Sequence, residues 1–370
     1  MPKKVLMLLS NPFLPDPRVE KEAKALVGDG YNVAVLAWDR GGCRPSTETD
    51  GDVQIQRVRT RATNGIISYL VNYARYFYKS FLIGSKEAPD IIHANDFDTL
   101  LLGILISRLK GTKLVYDAHE HYAMMIKADA GTRAANMVDR LESRMVGTAD
   151  LVIAANEHIL EYLRPRLRGQ AEVVMNCVDV IEKLPERPSP SDRLRIFYAG
   201  SLEPQRYIPE LLDAVAMNDR TELRIAGRGR YEEAVKRMAL SCPRIEFLGL
   251  ITPEEVLDRT SKSDVVFSML DPRNENYRIA TPIKVLEAMA MGVPLMVSKG
   301  TWSADIVERI GCGVALDWSP TAFDEAVTLL LDPERRKAMG DKGRKAAESE
   351  FNWKMMEERL LSSYRRMSEE

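Results

Sequence analysis

The amino-acid sequence predicts an α/β protein made of two doubly wound parallel-sheet units in tandem. Three observations carry that reading. Short apolar runs rich in β-branched residues alternate with helical patterns, the series starts a second time near mid-chain, and a charged, proline-bearing stretch separates the two series. At 370 residues the chain exceeds one ordinary core of roughly 100–200 residues, while each half suffices for its own.

The first series reads Val5–Leu9, Val33–Ala37, Ile91–His93, Lys113–Tyr116, Leu151–Ala154 and Glu172–Met175. Its opening run is shorter than the ~7–15 apolar residues of a signal peptide and reads as a buried first strand. Residues 182–192 hold Pro185, Pro188 and Pro190 among charges, with no apolar period, as a linker should. The second series is Arg195–Ala199, Glu222–Ala226, Ile245–Leu248, Val265–Ser268, Pro294–Val297 and Gly313–Leu316, with helical patterns at Pro209–Ala216 and Arg230–Ala239. Met356, Leu360, Leu361 and Tyr364 recur at helical spacing, so Trp353–Met367 reads as an amphipathic helix packed on a core. The expected units are residues 1–181 and 193–352, and a cleft between two such units is the default site.

Composition narrows the function. With 45% hydrophobic and 29% charged residues and a net charge of -2, nothing points to nucleic acid. Cys43, Cys177, Cys242 and Cys312 are far apart, against a disulfide framework, a zinc site or a redox pair, and a reducing cytoplasm fits them. No apolar stretch approaches the ~20 residues of a membrane span, so membrane contact would be peripheral.

The most informative local feature is residues 281–292. Thr281 suits a helix cap, Pro282 the first helical position and Gly292 the exit. Free N–H groups at such a start, helped by Lys284 and Arg278, can receive a phosphate, and Glu287 one turn on can accept ribose hydroxyls. A capped core helix with a solvated Glu287 would carry the same residues. Arg206 lies in the loop opened by Gly200, placed to pair with a diphosphate or to be a surface charge, and Gly227 and Gly229 permit close backbone approach. In the first half His93, Asn95, Asp96 and Asp98 follow one strand, and Asp117, His119, Glu120 and His121 the next. No ligand pair there has a recognised metal spacing, so a polar sugar pocket is expected and no metal. Val53 to Lys86 carries six basic residues, no acidic one and interleaved aromatics. Segment 57–86 is therefore expected to meet an anionic membrane surface or lipid-linked acceptor, or else to be a partly buried helix with a basic edge. As a helix it would place Ser68, Asn72, Arg75 and Lys79 on a polar stripe, and Ile66, Leu70, Tyr73, Phe77 and Phe81 on an apolar face.

Taken in order, a set of short motifs resembles the retaining glycosyltransferases of family 4 (glycosyl transferases group 1) over nearly the whole chain. They are Asp16-Pro-Arg18-Val-Glu-Lys-Glu22, Asp90-Ile-Ile-His93-Ala-Asn-Asp96, Tyr116-Asp-Ala-His119-Glu, Asn176-Cys-Val-Asp179, Tyr198-Ala-Gly200-Ser, Ile225-Ala-Gly227-Arg-Gly229, Phe247-Leu-Gly249 and Pro282-Ile-Lys284-Val-Leu-Glu287. The resemblance implies the GT-B fold, two Rossmann-like domains facing across a cleft, with the last helix (353–370) packed back on the first. It implies transfer of a sugar from a nucleotide-diphosphate sugar, such as a UDP- or GDP-sugar, to a glycan or lipid-linked acceptor in polysaccharide or glycolipid biosynthesis. Transfer would retain the anomeric configuration, with no cofactor and no metal. His119, Arg206 and Lys284 would serve catalysis. Gly200, Gly227, Gly229, Gly249, Leu250, Arg278, Thr281, Ile283 and Glu287 would bind the donor, the base near Gly249 and Leu250 and the ribose at Glu287. Asp16, Arg18, His93 and Asp96 would line the acceptor side.

Three positions depart from the family pattern. Ile279 stands where a further glutamate is common, Ser201 where an arginine often follows the glycine, and Asn11-Pro-Phe-Leu-Pro-Asp-Pro where a glycine loop is usual. Two other readings stay open on the sequence alone. They are a sugar-nucleotide epimerase of the same fold using His93, Asp96 or His119 for proton transfer, and a non-catalytic partner of an active transferase.

Overall fold

Parallel strands cannot be joined by tight turns, so each apolar run must be followed by a crossover segment that returns the chain to the same sheet edge. Both halves of the chain obey this rule. The computed structural model describes residues 2–13, 16–60, 66–179, 181, 183–185, 189 and 191–369. The chain divides into two units, Met1–Asn176 with Met356–Glu370, and Cys177–Met355.

The first unit contains β1 (Lys4–Leu9), β2 (Asn32–Asp39), β3 (Thr47–Asp50), β4 (Val53–Arg59), β5 (Ile91–Asn95), β6 (Lys113–Ala118), β7 (Leu151–Ala154) and β8 (Gln170–Val173). They form one sheet in the order β3-β4-β2-β1-β5-β6-β7-β8, parallel except for the edge pair β3 and β4. The second unit contains β9 (Leu194–Ala199), β10 (Thr221–Ala226), β11 (Ile245–Gly249), β12 (Val265–Ser268), β13 (Leu295–Ser298) and β14 (Gly313–Leu316), ordered β11-β10-β9-β12-β13-β14 and parallel throughout. In both sheets the order reverses beside the first strand of the unit, the place where ligands meet the carboxyl ends of strands. Central strands such as β5, β6, β7 and β12 are buried residue after residue, as sheets covered on both faces require.

The structure adds β3 and β4 to the expected strands. Alternation of buried Val53 and Ile55 with exposed Gln54 and Gln56 is the strand signal in β4. The basic segment 57–86 is thus not one element. It is the end of β4 and the helix Ile66–Lys86, and its residues 61–65 lie outside the described residues. Arg57 is buried and structural: it donates to Pro12 O at 2.6 Å, Pro45 O at 3.1 Å and Glu48 Oε2 at 2.7 Å.

The expected faces of the helix Ile66–Lys86 also need correction. Asn72, Tyr76 and Ser80, spaced by four, are the buried stripe, while Ile67, Leu70, Val71, Tyr78 and Leu82 are exposed with Arg75 and Lys79. Tyr76 stacks on Trp38 and donates its hydroxyl to Leu9 O, so bulk and a satisfied polar tip outweigh hydropathy at the interface. No described helix is long and apolar enough to cross a membrane.

In the second unit the helix predicted to start after Thr281 runs Ile283–Ala290, one residue later than expected. Pro282 is the N-cap, without a side-chain cap, and Gly292 follows the end at φ 66°. Thr281 therefore does not cap it. The helix Trp353–Glu369 joins the first unit from Met356 onward and buries Met356, Leu360, Tyr364 and Met367 completely at spacings of four, four and three. Leu360→Ala is expected to destabilise the protein by about 3 kcal/mol, the usual size for a fully buried leucine. A urea midpoint equal to wild type would show that this helix is not docked on a core.

Candidate functional site

Two clusters stand at the carboxyl ends of the strands, one in each unit. In the first unit the loop after β1 leads into the helix Pro17–Gly28. Asp16 caps that helix through Val19 N–H, and the opening turn delivers Arg18 inward. Arg18 is buried and grips the Asp117 carboxylate with both ends of its fork, Nη2 to Oδ1 at 2.6 Å and Nε to Oδ2 at 3.2 Å, while Nη1 donates to Val174 O at 2.6 Å. Asp117, the penultimate residue of β6, takes His119 Nε2 at 2.8 Å, and Asp96 takes His119 Nδ1 at 3.2 Å and its backbone N–H at 3.1 Å. Asp96 has φ 62° and ψ 166°, a glycine-like conformation held by its own N–H on Asp117 O. His93, on β5, is fully buried behind them, and His119 alone of the pair reaches the surface, with 19% of its side chain exposed.

The charges follow from this packing. Burial opposes a charge on His119, but the Asp96 and Asp117 carboxylates outweigh it and hold the imidazole well above its usual value. Burial likewise opposes a charge on Asp117, and Arg18 and His119 overcome it, keeping this carboxyl well below the carboxylate range. Glu22 goes the other way. Burial and the neighbouring Asp117 push it up to about 8, with Arg18 in opposition. Although Arg18 Nε lies 3.2 Å from Glu22 Oε1, neither Glu22 oxygen accepts a hydrogen bond from a described residue, so the guanidinium is committed to Asp117. Glu22, His93 and Asp117 bring possible metal-ligand atoms within 4.8 Å of one another. The residue that faces two of those three groups as a cation is Arg18.

In the second unit, Gly200 directly follows β9, Gly227 directly follows β10, and β11 ends at Gly249. The glycines are needed sterically. A Cβ on Gly227 would stand 1.8 Å from Gly200 O, one on Gly229 2.6 Å from Leu202 O, and one on Gly200 2.7 Å from Lys284 Nζ. Lys284 is buried, with Nζ 3.8 Å from the Tyr198 ring centroid, and burial together with Arg206 pushes its ammonium down to about 7 against the pull of Glu287. Arg206 lies over Tyr277 at 5.3 Å, and its Nε is buried and donates to no described acceptor. Glu287 is buried one turn beyond Lys284.

A cavity of about 350 Å³ opens beside these loops, lined by Ala199, Gly200, Ser201, Ala226, Gly227, Arg228, Leu250, Ile251 and Val256. Thus Gly200, Gly227 and Leu250 share one cavity, and Gly200, Arg206, Lys284 and Glu287 one electrostatic cluster. Ile283 opens the same helix, whereas Arg278 is exposed on the short helix Glu275–Ile279. Arg228, Ile251 and Val256 escaped the sequence reading. Only the placement of Arg228 inside the Gly227–Gly229 motif marked it, and nothing local marks Ile251 or Val256.

Comparison with known proteins supports this two-part arrangement. Residues 15–177 match the family model "Glycosyl transferase 4-like domain" and residues 179–346 the model "Glycosyl transferases group 1". A GDP-mannose-dependent monoacylated alpha-(1-6)-phosphatidylinositol monomannoside mannosyltransferase of Corynebacterium glutamicum is 29% identical over 159 residues, 42% of each chain. A GDP-mannose-dependent alpha-(1-6)-phosphatidylinositol monomannoside mannosyltransferase of Mycolicibacterium smegmatis is 27% identical, covering 75% of this chain and 77% of that one. The match spans about two-fifths of the length of the first such relatives. Among solved structures, sucrose-phosphate synthase from Thermosynechococcus elongatus superposes with a TM-score of 0.81 at 19% identity over 99% of both chains. Anabaena HepE in complex with UDP and glucose gives 0.70 at 16% identity over 98% of this chain and 100% of that one. These likenesses make the fold GT-B, with two Rossmann-like domains.

A pH test follows for the first cluster. Because the folded state raises Glu22 from an ordinary 4.5 to about 8, the folded protein binds more protons than the unfolded chain between those values. The Glu22 contribution to stability should therefore decline as pH rises from about 4.5 to about 8 and be flat outside that window. Chemical denaturation of wild type and Glu22→Gln across this range should give a stability difference with that slope, and a pH-independent difference would show Glu22 to be an ordinary carboxylate.

Proposed function

Because this chain belongs to the glycosyltransferases of family 4, we propose that it transfers a sugar from a nucleotide-diphosphate sugar to a glycan or lipid-linked acceptor, with retention at the anomeric carbon and without a bound metal. The observation that carries the reading is the pairing of a desolvated Lys284 with Arg206 around the Gly200 loop at the sheet edge. Burial of Lys284 near the half-buried Arg206 disfavours its charge, and a diphosphate between them and the N–H groups at the start of the helix Ile283–Ala290 relieves that cost.

In this reading the nucleotide base enters the cavity at Leu250, Ile251 and Val256, and Glu287 takes the ribose hydroxyls. Lys284 and Arg206 stabilise the negative charge that grows on the diphosphate as the sugar–oxygen bond breaks. His119, held protonated by Asp96 and Asp117, faces the transferred sugar as a hydrogen-bond donor. Lys284 and Glu287 keep this machinery despite Ile279 and Ser201, and Arg206 supplies the cation that Ser201 lacks. The similar mannosyltransferases are GDP-mannose-dependent and HepE forms a complex with UDP, which makes UDP- and GDP-sugars the first donors to try.

The acceptor side fits a lipid-linked substrate. Ile67, Leu70, Val71 and Tyr78 are exposed on the helix Ile66–Lys86 beside Arg75 and Lys79, and Leu101, Leu105 and Leu109 on the adjoining helix Phe97–Lys110 beside Arg108 and Lys110. Apolar groups rimmed by cations suit a peripheral docking on an anionic membrane surface. Flotation with anionic liposomes should recover the wild type, and Leu70→Glu with Tyr78→Glu should lower recovery severalfold. Equal recovery of both proteins, or none of either, would sink the membrane reading.

The donor reading has two direct measurements. A panel of UDP-, GDP-, ADP- and dTDP-sugars should contain one that raises the Tm of wild type but not of Glu287→Ala. The same donor should drive proton uptake near pH 7.5, as the incoming diphosphate restores the charge on Lys284, and calorimetry in buffers of different ionisation enthalpy reads this uptake. Stabilisation of wild type and Glu287→Ala alike, or binding without uptake, would place the diphosphate elsewhere.

A further inference from the structure

The first cluster has a member that no sequence motif marks. Tyr364, on the helix Trp353–Glu369, is fully buried and its hydroxyl lies 2.5 Å from His93 Nδ1. The other ring nitrogen, His93 Nε2, is aimed between two carboxyl groups, 3.7 Å from Glu22 Oε2 and 3.8 Å from Asp117 Oδ2, with no hydrogen-bond partner among the described residues. An imidazole nitrogen that faces the ionised Asp117 carboxylate is stable there as N–H, since a lone pair would be repelled, and Glu22, at 3.7 Å, makes no hydrogen bond to it. The Nδ1 atom is then the acceptor, and the Tyr364 O–H donates to it.

We propose that Tyr364 is a positioning residue of the sugar-transfer site, which fixes His93 as the Nε2–H tautomer so that its N–H steadies Asp117 and, through Asp117, the orientation of His119. The chain of contacts is continuous: Tyr364 to His93, His93 facing Asp117, and Asp117 to His119 at 2.8 Å. The charged and titratable groups around His93 come from several elements, while β1 packs beside it through Met7. Arg18 and Glu22 come from the helix Pro17–Gly28, Asp96 from the end of β5, Asp117 and His119 from β6 and its loop, and Tyr364 from the last helix, itself packed edge-on against Tyr31 at 5.7 Å. A neutral imidazole with one defined N–H is what such a setting needs. Its N–H can face Asp117 without adding a third full positive charge to those of Arg18 and His119. The inference rests on the transferase reading for its catalytic consequence, and on geometry alone for the tautomer.

The chain has only four histidines, so their ring nitrogens can be assigned individually by long-range proton–nitrogen NMR. Wild-type His93 should show the Nε2–H form. Tyr364→Phe keeps the ring packed on Tyr31 and His93 but leaves Nδ1 without a donor, and should give a mixed or Nδ1–H signal. With whichever donor the panel identifies, the variant should lose about tenfold in kcat with the donor KM little changed, as a misaligned group does. An Nδ1–H signal in wild type overturns the proposal even if the variant fails to fold. So does a variant whose His93 signal matches wild type, or one with unchanged kcat. A wild type that shows the expected tautomer but turns over no donor would instead count against the transferase reading.

Discussion

The first unit depends on the buried pairing of Arg18 with Asp117. A bidentate guanidinium–carboxylate contact at 2.6 and 3.2 Å, away from water, commits two charges that could not be buried singly, and breaking such a pair by removing one partner costs about 3–5 kcal/mol. It joins the helix after β1 to β6, and through Val174 O it also reaches the chain beyond β8. Everything chemically distinctive around it follows. Asp117 stays ionised and so can hold His119, while the charge of Arg18 is used up and Glu22 keeps its proton.

The second unit uses the opposite device. Here Lys284 and Arg206 form no ion pair within 4.0 Å among the described residues. Lys284 rests on the Tyr198 ring and is partly discharged, and Arg206 has a buried N–H without a described acceptor. The glycines that follow β9 and β10 let the loops approach to a distance that no side chain would permit, and Lys284 reaches the same place. This is the region of the proposed diphosphate site, in contrast to the self-neutralised cluster of the first unit.

The two halves also differ in how local their signals are. The strands alternating with helices were readable because burial on both faces demands continuous apolar runs. Gly200 and Gly227 fell directly after such runs and Gly249 at the end of one, where glycines advertise themselves. The helix start was misplaced by one residue, at Pro282 instead of Thr281, because either residue tolerates the extended conformation of a cap. The edge strands β3 and β4 were hidden by their polar composition. The helix Ile66–Lys86 turns a different face inward than hydropathy predicts because hydropathy ranks leucine above tyrosine, and the interface selected Tyr76 for its hydrogen bond to Leu9 O and its stacking on Trp38.

The sequence by itself determined the class of fold, the two tandem sheets and the order of the motifs that identify the family. These depend on period, length and backbone permissiveness, which act within a few residues. Only the tertiary structure decided which charges are satisfied. Whether Arg18 is a ligand contact or a structural clamp, whether Glu22 is ionised, and whether Tyr364 belongs to the site depend on groups up to 271 residues apart meeting in a medium without water. Electrostatic energies there follow distance and burial, and neither is written along the chain.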